Sequence, residues 1–148
     1  MKRLILTGGV SAALAAALLA GGATAQTAPA TLELHQLERD ARSGFVDNPP
    51  RRRESRGDVF TVGGPVRDAG GRRVGNAQAV FTQTARRTAH GGGTFTLADG
   101  SIEISGRLGG SGTDTLAIVG GTGAYAGATG TVVITEPRGR TAFRFTIG

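Results

Sequence analysis

The chain contains no cysteine and no tryptophan, and histidine occurs only twice among its 148 residues. A protein without cysteine has no disulfide bond, no thiolate ligand for a metal and no thiol nucleophile. Two histidines are too few for a histidine-rich metal centre. We therefore expect no metal site and no chemistry that depends on a thiol.

Helix-forming segments are scarce after residue 43, whereas glycine occurs 26 times in the chain. Between the glycines, Thr, Val, Ile and Phe alternate in short runs, which is typical of an all-β domain with many turns. Eight strands are predicted, at residues 31–39, 57–62, 73–84, 94–97, 101–108, 115–119, 130–136 and 141–147. Closing such a sheet removes its exposed edges. The predicted fold is an all-β, eight-stranded antiparallel β-barrel, with room inside for packed side chains or one small ligand.

Three segments between the predicted strands lack the strand pattern. Residues 42–56 contain Asn48-Pro49-Pro50, and proline cannot donate the backbone hydrogen bond of a strand, so we predict a long exposed loop there with a basic tip at residues 51–53. Residues 65–72 and 86–93 are rich in turn residues and predict a turn and a glycine-rich loop. A helix at residues 36–43 is an alternative that has no clear cap.

The N-terminus has the pattern of a secretory signal peptide. Lys2 and Arg3 precede an apolar stretch at residues 4–20, and Ala23-Thr24-Ala25 supplies a small-residue cleavage site before Gln26. The predicted organisation is a signal peptide at residues 1–25, a short linker at residues 26–30 and a β-barrel domain at residues 31–148. We expect a secreted, extracellular protein without a stable membrane anchor.

The formal net charge is +6, which raises the question of a nucleic-acid partner. Apart from residues 51–53 the arginines are scattered, and most of the six phenylalanines and the single tyrosine occupy strand-core positions. Stacking platforms for bases would need exposed aromatic side chains beside the basic ones. We expect no nucleic-acid partner.

A glycine pattern, Gly121-x-Gly123-x-x-Ala126, follows an apolar run and imitates a dinucleotide-binding fingerprint. That fingerprint requires a helix next, with an acidic residue about 20 positions further on. Here the β-branched residues 129–135 predict a strand instead. We expect neither a nucleotide nor any other cofactor.

Glu33 and His35 lie on the same face of the first predicted strand, and Leu32 and Leu34 lie on the other. In one interpretation the leucines enter the core and Glu33 faces solvent. In the other, Glu33 and His35 point into the barrel, where the imidazole could take or share the proton of a buried carboxylate. The sequence pattern favours the first interpretation but leaves both open.

Residues 114–130, DTLAIVGGTGAYAGATG, closely resemble the signature of the allene oxide cyclases and the related dirigent proteins. Weaker matches follow the same order along the chain: Gly57-Asp58, Arg73-Val74-Gly75, the hairpin at residues 95–102, and LELHQLER at residues 32–39. The resemblance implies an eight-stranded barrel with an apolar cavity. It also implies a homo-oligomer, often a trimer in plant members and a dimer in some bacterial ones.

The resemblance also implies site residues. Glu33 matches the cyclases' catalytic glutamate, and His35 stands where they have a water-holding asparagine. On this basis Glu33 and His35 are the candidate catalytic residues. The expected ligand-binding residues are the aromatic side chains Phe60, Phe81, Phe95 and Tyr125.

Two functions of different class follow. The first is a cyclase-like or dirigent-like enzyme that binds an apolar small molecule and guides its stereoselective cyclisation or coupling. The second is a non-catalytic barrel that binds a ligand or serves as an interaction module. The direction of Glu33 discriminates between them, because a solvent-facing Glu33 favours the second.

Overall fold

The computed structural model describes residues 30–48, 55–110 and 112–148. The predicted signal peptide and the basic residues 51–53 lie outside the described residues. Nine strands and one short 3-10 turn are present in the described part of the chain: β1 (Ala30–Leu37), the turn (Glu38–Asp40), β2 (Arg42–Val46), β3 (Val59–Arg67), β4 (Arg73–Ala85), β5 (Thr88–Leu97), β6 (Gly100–Leu108), β7 (Thr113–Gly123), β8 (Gly130–Thr135) and β9 (Arg140–Ile147). In these ranges no helix is long and apolar enough to cross a membrane.

The strands form one closed antiparallel sheet. Their order is β1-β9-β8-β7-β6-β5-β4-β3-β2, and a further pairing of β1 with β3, at His35 and Arg67, closes the ring. β1 and β2 together occupy one strand position, because the 3-10 turn interrupts a path that pairs first with β9 and then with β3. The eight-stranded antiparallel barrel predicted from the sequence is therefore confirmed.

Two segments predicted as loops are strands. Residues 42–46 form β2, which ends at Val46, before the two prolines, and pairs with the otherwise free edge of β3. Residues 88–93 belong to β5, which is paired on both sides by β4 and β6. Glycine suits this stretch because the strands approach closely: a Cβ on Gly93 would lie 2.7 Å from the Cβ of Ala79.

The turn predicted at residues 65–72 is shorter than expected, since β3 continues to Arg67. Pro65 lies in β3 between Gly63, which pairs with β2, and Arg67, which pairs with β1. It therefore stands opposite the break between these two strands. Proline has no N–H group to donate, and at this position the neighbouring strand is interrupted, so no hydrogen bond of the sheet is lost.

One end of the barrel is filled by side chains and is called the closed end; it carries the β3–β4, β5–β6 and β7–β8 connections. Phe95 packs edge-on against both Phe143 and Phe145, with ring centroids 4.9 Å apart in each pair. Phe145 is completely buried, as are Ile102 and Val132. The alternation of Phe143 and Phe145 on β9 thus supplies much of the core.

Candidate functional site

The other end of the barrel, called the open end, contains a cavity of about 730 Å³. It is bounded by the β4–β5, β6–β7 and β8–β9 connections and extends inward to Phe95 and Phe143. This volume lies within the usual range of small-molecule sites, about 300–1,000 Å³. The barrel therefore encloses enough space for one small ligand.

One wall of the cavity is an aromatic row, formed by Phe45, Phe60 and Phe81. These residues are cross-strand partners at the same level of β2, β3 and β4. The rings of Phe60 and Phe81 are stacked, with centroids 5.6 Å apart and planes 22° from parallel. Phe45 is 57% exposed at the edge of the cavity. The row offers a flat apolar surface against which a planar ligand can stack.

The adjoining wall consists of small side chains. Ala77, Ala79 and Ala89 line the cavity from β4 and β5. The cross-strand partner of Phe81 on β5 is Gly91, which carries no side chain at that level. The cavity exists because large residues on one wall face small residues on the next.

Polar side chains also line the cavity, and two of them, Gln36 and Gln83, are buried. Gln36, on β1, is only 4% exposed, and its Nε2 atom has no hydrogen-bond partner among the residues that the structure describes. Arg87, Asp114 and Glu136 also line it, at the open end. Oδ1 of Asp114 accepts a hydrogen bond from the backbone N–H of Gly109 at 2.6 Å, which fixes that carboxylate at the rim. In the described ranges, no three His, Asp or Glu side chains are grouped so that they could hold a metal ion.

A buried carboxylate, Asp58, organises the β2–β3 connection. Asp58 is fully buried, and its oxygens accept hydrogen bonds from the backbone N–H groups of Asn48 and Ser55, at 3.0 and 2.6 Å, and from the Ser55 hydroxyl. The hydrogen bond from Asn48, followed by that from Ser55, lowers the pKa of Asp58 below its ordinary value. These contacts join the two ends of the β2–β3 connection.

The structure places Glu33 and His35 on the outer face of the barrel. Glu33 is the cross-strand partner of Arg144, whose Nε donates a hydrogen bond to Glu33 Oε1 at 3.1 Å. The two side chains are 55% and 69% exposed. Glu33 and His35 border a separate outer depression of about 460 Å³, so they do not contact the interior cavity. Leu34 is the buried neighbour.

Successive residues of a strand point to opposite faces, which explains this placement. Glu33 and His35 point outward on β1, whereas Leu34 and Gln36 are buried. Gln36 is the polar residue of β1 that lines the cavity.

Three of the four aromatic residues expected at the ligand, Phe60, Phe81 and Phe95, line the cavity, whereas Tyr125 does not. Tyr125 lies in the β7–β8 connection at the closed end, packed against the core. Burial raises the pKa of its phenol, and the negative charge of Asp99 raises it further. Phe45 was not expected at the site, because its segment was predicted as a loop.

Comparison with known proteins identifies one matching family and several solved structures with the same fold. The family model described as allene oxide cyclase barrel like domain matches residues 36–147. No curated protein sequence matches the chain.

Three solved structures share the barrel. A pyocyanin demethylase has a TM-score of 0.65 and 18% identity over 80% of this chain and 100% of its own. A pterocarpan synthase dirigent protein has a TM-score of 0.57 and 20% identity over 80% of this chain and 91% of its own. The Diels-Alderase AbmU from Streptomyces koyangensis has a TM-score of 0.61 and 14% identity over 85% of this chain and 72% of its own. At these identities the similarity establishes the fold alone.

Proposed function

The chain belongs to the allene oxide cyclase barrel-like family, and we propose that it binds an apolar small molecule inside the barrel and guides its stereoselective cyclisation or coupling. The observation that carries the proposal is the cavity of about 730 Å³, with an aromatic row on one wall and small residues on the next. Walls of this kind select one folded shape of a flexible or reactive molecule.

The proposed catalysis is by orientation. Holding reacting groups in the right geometry is worth up to about 7–11 kcal/mol of barrier in the most favourable cases. Ring closures and couplings of already reactive molecules need little else, since a rigid apolar cavity decides which faces meet. The Diels-Alderase and the pterocarpan synthase dirigent protein with the same barrel support a reaction of this kind.

Binding inside the barrel is tested with two substitutions at adjacent residues of β4. Ala79 lines the cavity, whereas Val80 is 51% exposed on the outer face. We expect Ala79→Phe to fill the cavity and weaken binding of anilinonaphthalene sulfonate, an anionic probe whose aromatic rings bind apolar sites, by about tenfold or more, which corresponds to about 1.4 kcal/mol. Val80→Phe adds the same ring outside and is expected to bind as the native protein does. Equal binding by both variants would contradict an interior site.

The second candidate function is a non-catalytic ligand-binding barrel. It is favoured by the outward direction of Glu33, which leaves the interior without the carboxylate that the resemblance implied.

The two functions predict different stereochemistry for the product of a reaction carried out in the presence of the protein. The assay incubates the protein with a prochiral reactive substrate, either a diene and dienophile or a pair of phenoxyl radicals, and separates the enantiomers by chiral chromatography. An excess that disappears in Ala79→Phe supports guidance, whereas a racemic product together with tight binding supports the second function.

We also propose that the protein is exported and that copies of it associate. Export rests on the N-terminal pattern at residues 1–25 and association on the family resemblance. The intact mass of protein recovered from the culture medium should correspond to a chain that begins at Gln26. Light scattering of the same sample should give a dimer or a trimer, and a monomer at working concentration would contradict the second part.

A further inference from the structure

The connection between β4 and β5, at the open end of the barrel, carries an arginine that lines the cavity. β4 ends at Ala85 and β5 begins at Thr88, so this connection consists of Arg86 and Arg87. Arg87 lines the cavity, whereas Arg86 does not. Among the cavity-lining residues that the structure describes, Arg87 is the one with a positive charge.

The backbone of Arg87 adopts a conformation that favours glycine. Its φ is +58°, and every other residue with a positive φ in the described part of the chain is a glycine. A side chain is crowded in this left-handed region, so an arginine there costs free energy that a glycine would not. A strained residue beside a cavity calls for a functional explanation. The fold keeps an arginine at this position of the rim in spite of the strain.

The guanidinium group of Arg87 is exposed and has no partner within the described ranges. The ion pairs and side-chain hydrogen bonds that arginines form there involve Arg39, Arg67, Arg72, Arg73 and Arg144. The rim also carries two carboxylates, Asp114 of β7 and Glu136, which follows β8. Neither is paired with Arg87. The rim is therefore positive on the side of β4 and β5 and negative on the side of β7 and β8.

A buried amide lies on the same wall as Arg87. Gln83 of β4 is 6% exposed and lines the cavity, two residues from Phe81 of the aromatic row. Its carboxamide forms no hydrogen bond with any residue that the structure describes and, in contrast to Gln36 Nε2, it is not enclosed by protein atoms. An unpaired amide that faces a cavity is available to a ligand.

We propose that Arg87 pairs with an anionic oxygen group of the ligand at the rim of the cavity, and that the Gln83 amide supplies a second donor beside it. The proposal rests on the proposed function and specifies its substrate class: a flat apolar molecule with an anionic group at one end. The aromatic row stacks on the flat part, and Arg87 holds the charged end. A guanidinium group suits this role because it can donate two parallel hydrogen bonds to one anionic group.

The pairing determines the direction in which the ligand lies. The reverse direction would bury the charge between the aromatic row and the alanines, which is costly. Asp114 and Glu136 repel an anionic group from the opposite side of the rim and so favour the side of Arg87. A ligand held in one direction presents one face of its reactive part to each wall. Arg87 is thus a specificity-determining residue that takes no part in proton transfer.

The test uses two probes that differ by one sulfonate group, anilinonaphthalene sulfonate and N-phenyl-1-naphthylamine. Both carry the same aromatic rings, so a change in the ratio of their dissociation constants reports on the anionic group alone. We expect Arg87→Gln to weaken binding of the sulfonate probe by about tenfold, the loss that a hydrogen bond to a charged group causes, and to leave binding of the neutral probe unchanged. Arg86→Gln removes the neighbouring charge outside the cavity and should change neither.

Two further variants separate recognition from folding. Arg87→Gly removes the charge and also relieves the positive φ, so the urea midpoint should not fall although the sulfonate probe binds more weakly. Gln83→Met removes the amide and should weaken the sulfonate probe by about threefold or more, again without an effect on the neutral probe. High salt should weaken binding of the sulfonate probe more in the native protein than in Arg87→Gln, because salt screens an exposed ion pair.

The outcomes also separate this inference from the proposed function. The inference is overturned if Arg87→Gln binds both probes as the native protein does, or if Arg86→Gln loses the sulfonate probe to the same extent. If Ala79→Phe still weakens both probes in that case, the cavity remains a binding site and only the role of Arg87 is wrong. If neither probe binds to the native protein, both the proposed function and the inference fail.

Discussion

Adjacent residues of β1 should respond differently to substitution, because Leu34 faces the barrel interior and Glu33 faces solvent. Leu34 is 3% exposed, and removing such a buried side chain typically costs about 2–5 kcal/mol, so Leu34→Ala should lower the free energy of unfolding by that amount. Glu33 and Arg144 are more than half exposed, and such ion pairs contribute about 0–1 kcal/mol. Glu33→Gln should therefore lower the free energy of unfolding by less than about 1 kcal/mol.

Urea denaturation followed by circular dichroism measures both effects. Because exposed charges are screened by salt, the small loss in Glu33→Gln should shrink further in high salt, whereas the loss in Leu34→Ala should not. Arg144→Gln is the matched control and should resemble Glu33→Gln. If Glu33→Gln were as destabilising as Leu34→Ala, or abolished ligand binding, the assignment of Glu33 to the outer face of β1 would be wrong.

Three further predictions concern polar groups. The pKa of Asp58 is lowered from its ordinary value of 3.8, so its carboxylate stabilises the fold above that pH and the contribution is lost as the pH falls through the lower folded value. Urea midpoints measured against pH should fall more steeply below pH 3.8 in the native protein than in Asp58→Asn, and parallel curves would contradict this. Gln36→Leu should raise the free energy of unfolding by about 1–3 kcal/mol in urea denaturation, because it removes an unpaired buried amide; a loss of stability would show that the amide is paired. Asp99→Asn should lower the pKa of Tyr125 but leave it above 10.0, because burial, the larger cause of the raised pKa, remains. Phenolate absorbance measures this pKa directly, since the chain has one tyrosine. An unchanged pKa would exclude the contribution of Asp99.

The parts of the fold that were predictable have local signals. Phe143 and Phe145 alternate on β9, and Ala98-Asp99 connects β5 to β6, which begins at Gly100, so these elements follow from neighbouring residues. β2 has no such signal, because RSGFV lacks a regular alternation and becomes a strand through pairing with β3. Strand formation at Gly91–Gly93 likewise depends on partners on both sides, which a local pattern does not contain.

The candidate site was predictable in part for the same reason. Phe60, Phe81 and Phe95 alternate on strands whose inner face the sequence identifies, and they line the cavity. β1 was ambiguous, because leucines occur on both of its faces and a one-residue shift exchanges them. The unpaired state of Gln36 was not predictable, since it depends on distances to other strands.

Ligand contact with the inner wall tests the central claim most directly. Alanine methyl groups labelled for NMR report on both sides of the barrel, because Ala77, Ala79 and Ala89 line the cavity whereas Ala117 and Ala126 are exposed outside it. With anilinonaphthalene sulfonate bound, we predict nuclear Overhauser contacts from the ligand to the first three methyl groups and none to the other two. Contacts confined to Ala117 or Ala126 would contradict an interior ligand site.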